Sequence, residues 1–199
     1  MTMADRANAS ATPGRKRSET TRRAILDATF GLLEEKGFDR LSIEGVAARA
    51  GVGKATIYRW WSSKGLLAVE AFLDAVAPAI AFPDTGSARA DILHQMRALA
   101  GLYRGPTGRF VREMIALSLS DAAMRAAFVD GFLEPRRAAA YAVFRRGQAR
   151  GELRADLDPK VAIDGVYGAI YYRLLVSDGA IDDDFVSELA KSVLAGILA

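Results

Sequence analysis

Residues 42–61 read SIEGVAARAGVGKATIYRWW. Ser42 is a helix-capping residue, because its short side-chain oxygen accepts from a backbone N–H two or three residues on. Ile43, Val46 and Ala47 follow at helical spacing and share one inward face. Gly51 supplies a left-handed stop, and Val52 and Gly53 make a turn. A second short helix is expected from Lys54 to Trp60. Two short helices joined by a tight glycine turn have the layout of a helix-turn-helix, whose second helix enters the major groove of duplex DNA. Ala47 and Ala48 are small enough to let the two helices cross closely. Val52 and Ile57 are placed to lock the pair against an earlier helix.

That earlier helix lies just upstream. Ser18 or Thr20 caps a segment with Ile25, Leu26, Ala28, Phe30, Leu32 and Leu33 on its apolar side. Lys36 suits the last turn and Gly37 ends it. Further upstream, residues 1–17 are small, polar and without periodicity. Pro13 and Gly14 are expected to break any helix there, leaving a disordered basic arm that ends in Arg15, Lys16 and Arg17. The charge distribution agrees with a polyanion at this end. Residues 1–64 carry 12 Lys/Arg and 7 Asp/Glu, whereas the remaining 135 carry 15 and 17. A basic third on a slightly acidic body suits nucleic acid.

Downstream the periodicity stays helical. Ser62 or Ser63 opens a helix ending near Pro78, and Ser87 opens another to about Tyr103. Gly105 and Pro106 separate it from a segment starting at Thr107. Asp121 caps a short piece, and a longer helix is expected from Phe132 to Arg150. Asp158 followed by Pro159 is a start signal, a capping carboxylate with proline at the first helical position. The last helix begins near Asp182. The expected fold is all-α, with about nine or ten helices. A three-helix DNA-binding domain spans 18–65, and a helical ligand-binding and dimerisation domain spans 66–199.

The stretch AGVGKATIYRWWSSKGLL, residues 50–67, resembles the recognition segment of the TetR family of transcription regulators, which reads roughly AGVSxGTLYxHFxSKxxL. Ala50, Gly51, Val52, Thr56, Tyr58, Ser63, Lys64 and Leu67 are the matching positions. RRAILDATFGLLEEKGF, residues 22–38, resembles the family's first helix. RADLDPKVAIDGVYGAIYYRLL, residues 154–175, resembles the C-terminal domain of one branch. The resemblance implies phosphate contacts from Ser42, Thr56, Tyr58 and Lys64. It places Lys54 and Ala55 at base edges, where Lys54 suits guanine O6/N7 and Ala55 a thymine methyl. Trp60 and Trp61 stand where His-Phe is common; Trp61 is expected in the core, and Trp60 presents its indole N–H to a phosphate. Glu44 either accepts from cytosine N4 or faces solvent.

The same resemblance implies a homodimer formed by the last two helices of each subunit as a four-helix bundle. The interface positions read from those helices are Tyr167, Ile170, Tyr171, Leu174, Val186, Leu189, Val193 and Ile197. The middle helices are then expected to surround a pocket for an unidentified small-molecule effector of apolar character. Met96, Tyr103, Phe110, Met114, Phe128 and Tyr141 are its candidate lining residues. The function implied is a DNA-binding repressor released from a pseudo-palindromic operator by that ligand. A DNA-organising protein without ligand response is the alternative, and an enzyme the weaker one.

Other chemistry finds little support. The chain has no cysteine and one histidine, His94, so neither thiolate chemistry nor a cofactor metal site is expected. Asp182, Asp183 and Asp184 suit a helix start and lack calcium-loop spacing. Gly165 and Gly168 follow no strand, so they are no dinucleotide signature. No acid–base set for catalysis stands out. No signal-peptide pattern and no apolar run of membrane length occurs, so a cytoplasmic protein with no membrane partner is expected.

Overall fold

Capping side chains set the boundaries of most elements. The computed structural model describes residues 13–199, with side chains from Ser18 onward. Helix α1 (Pro13–Lys36) begins at the proline that was expected to break it. Proline is harmless in the first helical turn, where its missing N–H has no partner to lose. The arm expected over residues 1–17 is therefore helical from residue 13. Residues 1–12, and the side chains of Arg15, Lys16 and Arg17, lie outside the described residues.

Ser42 caps α2 (Ile43–Ala50), its Oγ accepting from the Gly45 N–H at 3.1 Å. Gly51 closes it at φ 66°, a left-handed conformation that favours glycine. Helix α3 (Lys54–Tyr58) is two residues shorter than its sequence suggests. The N–H groups of Trp60 and Trp61 both turn back to the Ile57 carbonyl, at 2.9 and 3.0 Å, and this shared acceptor ends the helix. Ser63 then caps α4 (Lys64–Val76).

A short 3₁₀ turn (Pro78–Ile80) leads to α5 (Ala88–Arg104), capped by Ser87, and α6 (Pro106–Ser118). Asp121 caps α7 (Ala122–Phe128), which runs through a π turn (Val129–Leu133) into α8 (Glu134–Ala149). The helix expected from Phe132 thus starts two residues later, with Pro135 in its first turn. Asp158 caps α9 (Pro159–Tyr172), as the Asp-Pro pair predicts. A second π turn (Arg173–Ser177) extends α9 to Asp178. Asp182 caps α10 (Asp183–Ile197). The described residues are all-helical, apart from a lone antiparallel bridge between Leu153 and Leu198.

Helices α1–α3 form a small unit around Ile25, Val46 and Ile57, all fully buried. Helix α4 packs along α1 on one side and against α7 and its π turn on the other. The apolar core is therefore continuous from the helix-turn-helix into the body. At its centre Phe72 of α4 meets Phe110 of α6 and Phe132 of the π turn, with ring centroids 5.1 and 5.7 Å away.

Candidate functional site

Helix α3 turns one face inward and the rest outward. Ile57 is buried, whereas Lys54, Ala55, Arg59 and Trp60 are exposed. Tyr58 is 54% exposed, so its ring and hydroxyl are open to a partner. Thr56 is half-buried. Ser42, at the start of α2, is exposed, and its capping bond uses its oxygen as acceptor, leaving the hydroxyl hydrogen for another partner. Ser42, Lys54, Ala55, Tyr58 and Trp60 all keep exposed surface on this unit. Arg59 is a further exposed cation on it, signalled in the sequence only by a charge between two aromatic residues.

Three side chains are engaged in ways the sequence does not reveal. Lys54 Nζ donates to Glu44 Oε1 at 3.0 Å, so Lys54, placed at a base edge, is ion-paired with Glu44, whose expected place was either cytosine N4 or solvent. That bond raises the Lys54 ammonium pKa and lowers that of the Glu44 carboxyl. Lys64 is half-buried; its Nζ donates to the Phe38 carbonyl at 3.2 Å and sits 4.4 Å from the Phe38 ring centroid. It braces α4 against the end of α1 and has two N–H groups left for a phosphate. Trp61 is core, as expected, and its indole N–H donates to Glu70 of α4 at 2.6 Å. Arg22 of α1 pairs with the same carboxylate. Glu70 and Arg22 thus hold the end of the recognition helix, a role that their spacing gives no sign of.

The exposed Glu44–Lys54 pair yields a prediction. Glu44→Gln removes a negative charge from the face and frees the ammonium. Binding to duplex DNA of arbitrary sequence should tighten by up to about fivefold at low salt, the scale of a surface ion pair. Fluorescence anisotropy on a labelled duplex checks this, and weaker binding would mean that Glu44 positions Lys54 productively.

The body holds a cavity of about 280 Å³ between α5, α8 and α9. Its walls include Phe82, Gln95, Leu99, Leu133, Arg136, Ile163, Tyr167 and Tyr171. None of the six residues expected to line a pocket is among them. Met96, Tyr103, Phe110, Met114 and Phe128 are buried core, and Tyr141 accepts a hydrogen bond from Arg137 beside the cavity. Large apolar side chains that pack against one another leave no space, and this open volume lies beside Gln95 and Leu99 of α5. Tyr103 reaches the wall indirectly, its hydroxyl 3.0 Å from that of Tyr171.

The eight positions expected at a dimer interface fall into different environments in the single chain. Ile170, Leu174, Val186 and Ile197 are buried within the chain, and Tyr167 and Tyr171 line the cavity. Of the eight, Leu189 and Val193 stay half-exposed without lining the cavity. The outer face of α9 and its π turn carries a different set. Val161 is 69% exposed, Tyr172 58%, Leu175 43% and Val176 68%. With exposed Gly165 and Gly168 between them, these positions follow helical spacing as one stripe.

Residues 25–71 match the family model described as bacterial regulatory proteins, tetR family, and residues 82–193 match that for the tetracyclin repressor-like C-terminal domain. The chain is 38% identical over 186 residues to the uncharacterized HTH-type transcriptional regulator YdeS of Bacillus subtilis (strain 168), covering 94% of each protein. It is 31% identical over 180 residues to the DNA-binding transcriptional repressor TetR of Mycobacteroides abscessus, covering 89% of this chain and 94% of that one. The crystal structure of the TetR family transcription regulator SCO0332 superposes with a TM-score of 0.81 at 40% identity, covering 88% of this chain and 97% of that one.

Proposed function

The chain belongs to the TetR family of transcription regulators, and on that premise we propose that it is a homodimeric, cytoplasmic repressor released from its operator by a small ligand. The observation that carries this reading is the exposure of Lys54, Ala55 and Tyr58 around a recognition helix anchored by buried Ile57. Lys54 and Ala55 are the base-reading residues. Ser42, Thr56, Tyr58, Trp60 and Lys64 set the register on phosphates, and Arg59 joins them. Two copies of α3 read successive major grooves about 34–36 Å apart.

The dimer forms through the apolar stripe on α9, with Leu189 and Val193 of α10 at its edge. Residues 18–65 serve as the DNA-binding domain and 66–199 as the ligand-binding and dimerisation domain. Helix α4 belongs mechanically to both, because it carries Glu70 under the recognition helix and Phe72 in the body core. A ligand in the cavity that fits one setting of α4 better than another shifts the population between DNA-binding and released states.

Gel-shift titration on the operator at matched salt tests the DNA face. Tyr58→Ala should weaken binding by about tenfold, the loss of a hydrogen bond to a charged group. Lys64→Ala should also lower the slope of log affinity against log salt by about one unit. Unchanged affinity in both variants would contradict the assignment.

A further inference from the structure

Arg136 stands in the cavity wall, and among the described residues no carboxylate pairs with it. Its guanidinium donates to the Ile80 carbonyl at 2.8 Å, and the titratable groups that act on it are tyrosines, neutral at pH 7, rather than carboxylates. The next arginine, Arg137, is already matched, by Asp164 at 2.6 Å. The lining therefore carries one net positive charge in an otherwise largely apolar space. Such a charge, drawn away from water, is costly until an anion joins it.

Three neutral groups converge on the same space. Gln95 is 2% exposed, and its Oε1 has no hydrogen-bond partner among the described residues. The Tyr167 hydroxyl is likewise buried without a partner among them. Tyr171 accepts from the Tyr103 hydroxyl, so its own O–H remains to be donated. Burial pushes both Tyr167 and Tyr171 above the usual phenol range, so each keeps its proton at neutral pH and acts as a donor. Gln95 offers either end of its amide, because a half-turn exchanges oxygen and nitrogen. Buried polar groups in folded proteins are nearly always satisfied. Unmatched donors grouped around an unmatched cation describe the missing partner.

We propose that this cavity binds a small apolar monocarboxylic acid, its carboxylate on the Arg136 guanidinium and the Tyr167 and Tyr171 hydroxyls, and its apolar body against Leu99 and Ile163. The proposal rests on reading the cavity as the effector site and names the effector's chemistry. A guanidinium fork matches the two oxygens of a carboxylate. A cation is repelled, and a neutral amide leaves the charge unmatched. The single net charge suits a monoanion rather than a phosphate dianion. A cavity of about 280 Å³ holds a body on the order of ten non-hydrogen atoms, judged from the liquid volume of water.

Calorimetric titration of the full chain without DNA tests this. The probes are benzoate, phenylacetate, 3-phenylpropionate, hexanoate and octanoate, each beside its primary amide and the corresponding amine. At least one acid should bind about tenfold or more tightly than its amide, with the amine weakest. Arg136→Gln should bring that acid to the level of its amide, and Arg136→Lys should keep the preference at reduced affinity. Arg136 also holds the Ile80 carbonyl, so Tyr167→Phe serves as a variant that keeps the packing. It should weaken the acid severalfold and leave the amide unchanged. Amides or amines binding as well as acids would overturn the proposal. So would no acid binding at about 10 mM, far weaker than any useful affinity, or a preference that survives both Arg136→Gln and Tyr167→Phe. Operator release is measured separately. Release by a neutral or cationic probe would keep the effector reading and reject the acid. Binding of an acid without release would do the reverse.

Discussion

Replacing Tyr172 with glutamate is expected to leave the protein monomeric and to weaken operator binding by roughly two to four orders of magnitude. Tyr172 lies in the C-terminal half of the exposed stripe from Val161 to Val176, with Leu175 and Val176 beside it. In a two-fold dimer each substitution places a carboxylate in an apolar contact twice, once from each copy. An unpaired charge buried this way costs several kcal/mol. The affinity loss follows from geometry rather than from any damaged DNA contact. Two linked recognition helices bind with a high effective concentration for the second half-site, and separated ones lose that gain. Tyr172 is exposed in the single chain, so the subunit fold has little reason to fail. Multi-angle light scattering reads the mass and a gel shift reads the affinity. A dimer mass with wild-type affinity would place the interface elsewhere.

Phe72→Ala is expected to destabilise the protein by about 3–5 kcal/mol and to lower the melting temperature by about 10 °C or more. Phe72 is 1% exposed and bridges α4 to Phe110 and Phe132. Removing the ring leaves a void that those two neighbours border. Phe72→Leu keeps most of the volume and should cost much less. Circular dichroism melts of both variants check the pair. The alanine variant should also loosen the link between cavity and recognition helix, so any ligand effect on operator affinity should shrink in whatever fraction stays folded. A melting temperature within a few degrees of wild type would mean that α4 does not share its core with the body.

The helix-turn-helix was legible because its signals are local. A cap at Ser42, a left-handed stop at Gly51 and the inward positions Ile43, Val46 and Ile57 lie within one short stretch. Each obeys sterics and hydrogen bonding that need no distant partner. The Asp158–Pro159 start was legible for the same reason. The inward and outward faces of α9 were not. Both are apolar, with Ile163, Val166 and Ile170 on one and Val161, Tyr172 and Val176 on the other. Periodicity finds an apolar stripe, but it cannot tell which of two stripes meets the chain's own core. The cavity was hidden by a related ambiguity. Open volume comes from what side chains fail to fill, and the two π turns near it shift helix register in a way residue spacing does not encode. Lys54 with Glu44, Lys64 with Phe38, and Trp61 with Glu70 and Arg22 depend on tertiary proximity, which a motif match does not supply.

The most direct test of the account is selection of binding sites from a random duplex pool by the wild-type protein and by Lys54→Ala in parallel. The selected sites should form a pseudo-palindrome whose half-site centres lie about 10 base pairs apart or a multiple of that. Lys54→Ala should keep the spacing and alter base preference at one position within each half-site. No enriched motif, or the same motif returned by both proteins, would contradict a base-reading role for the exposed face of α3.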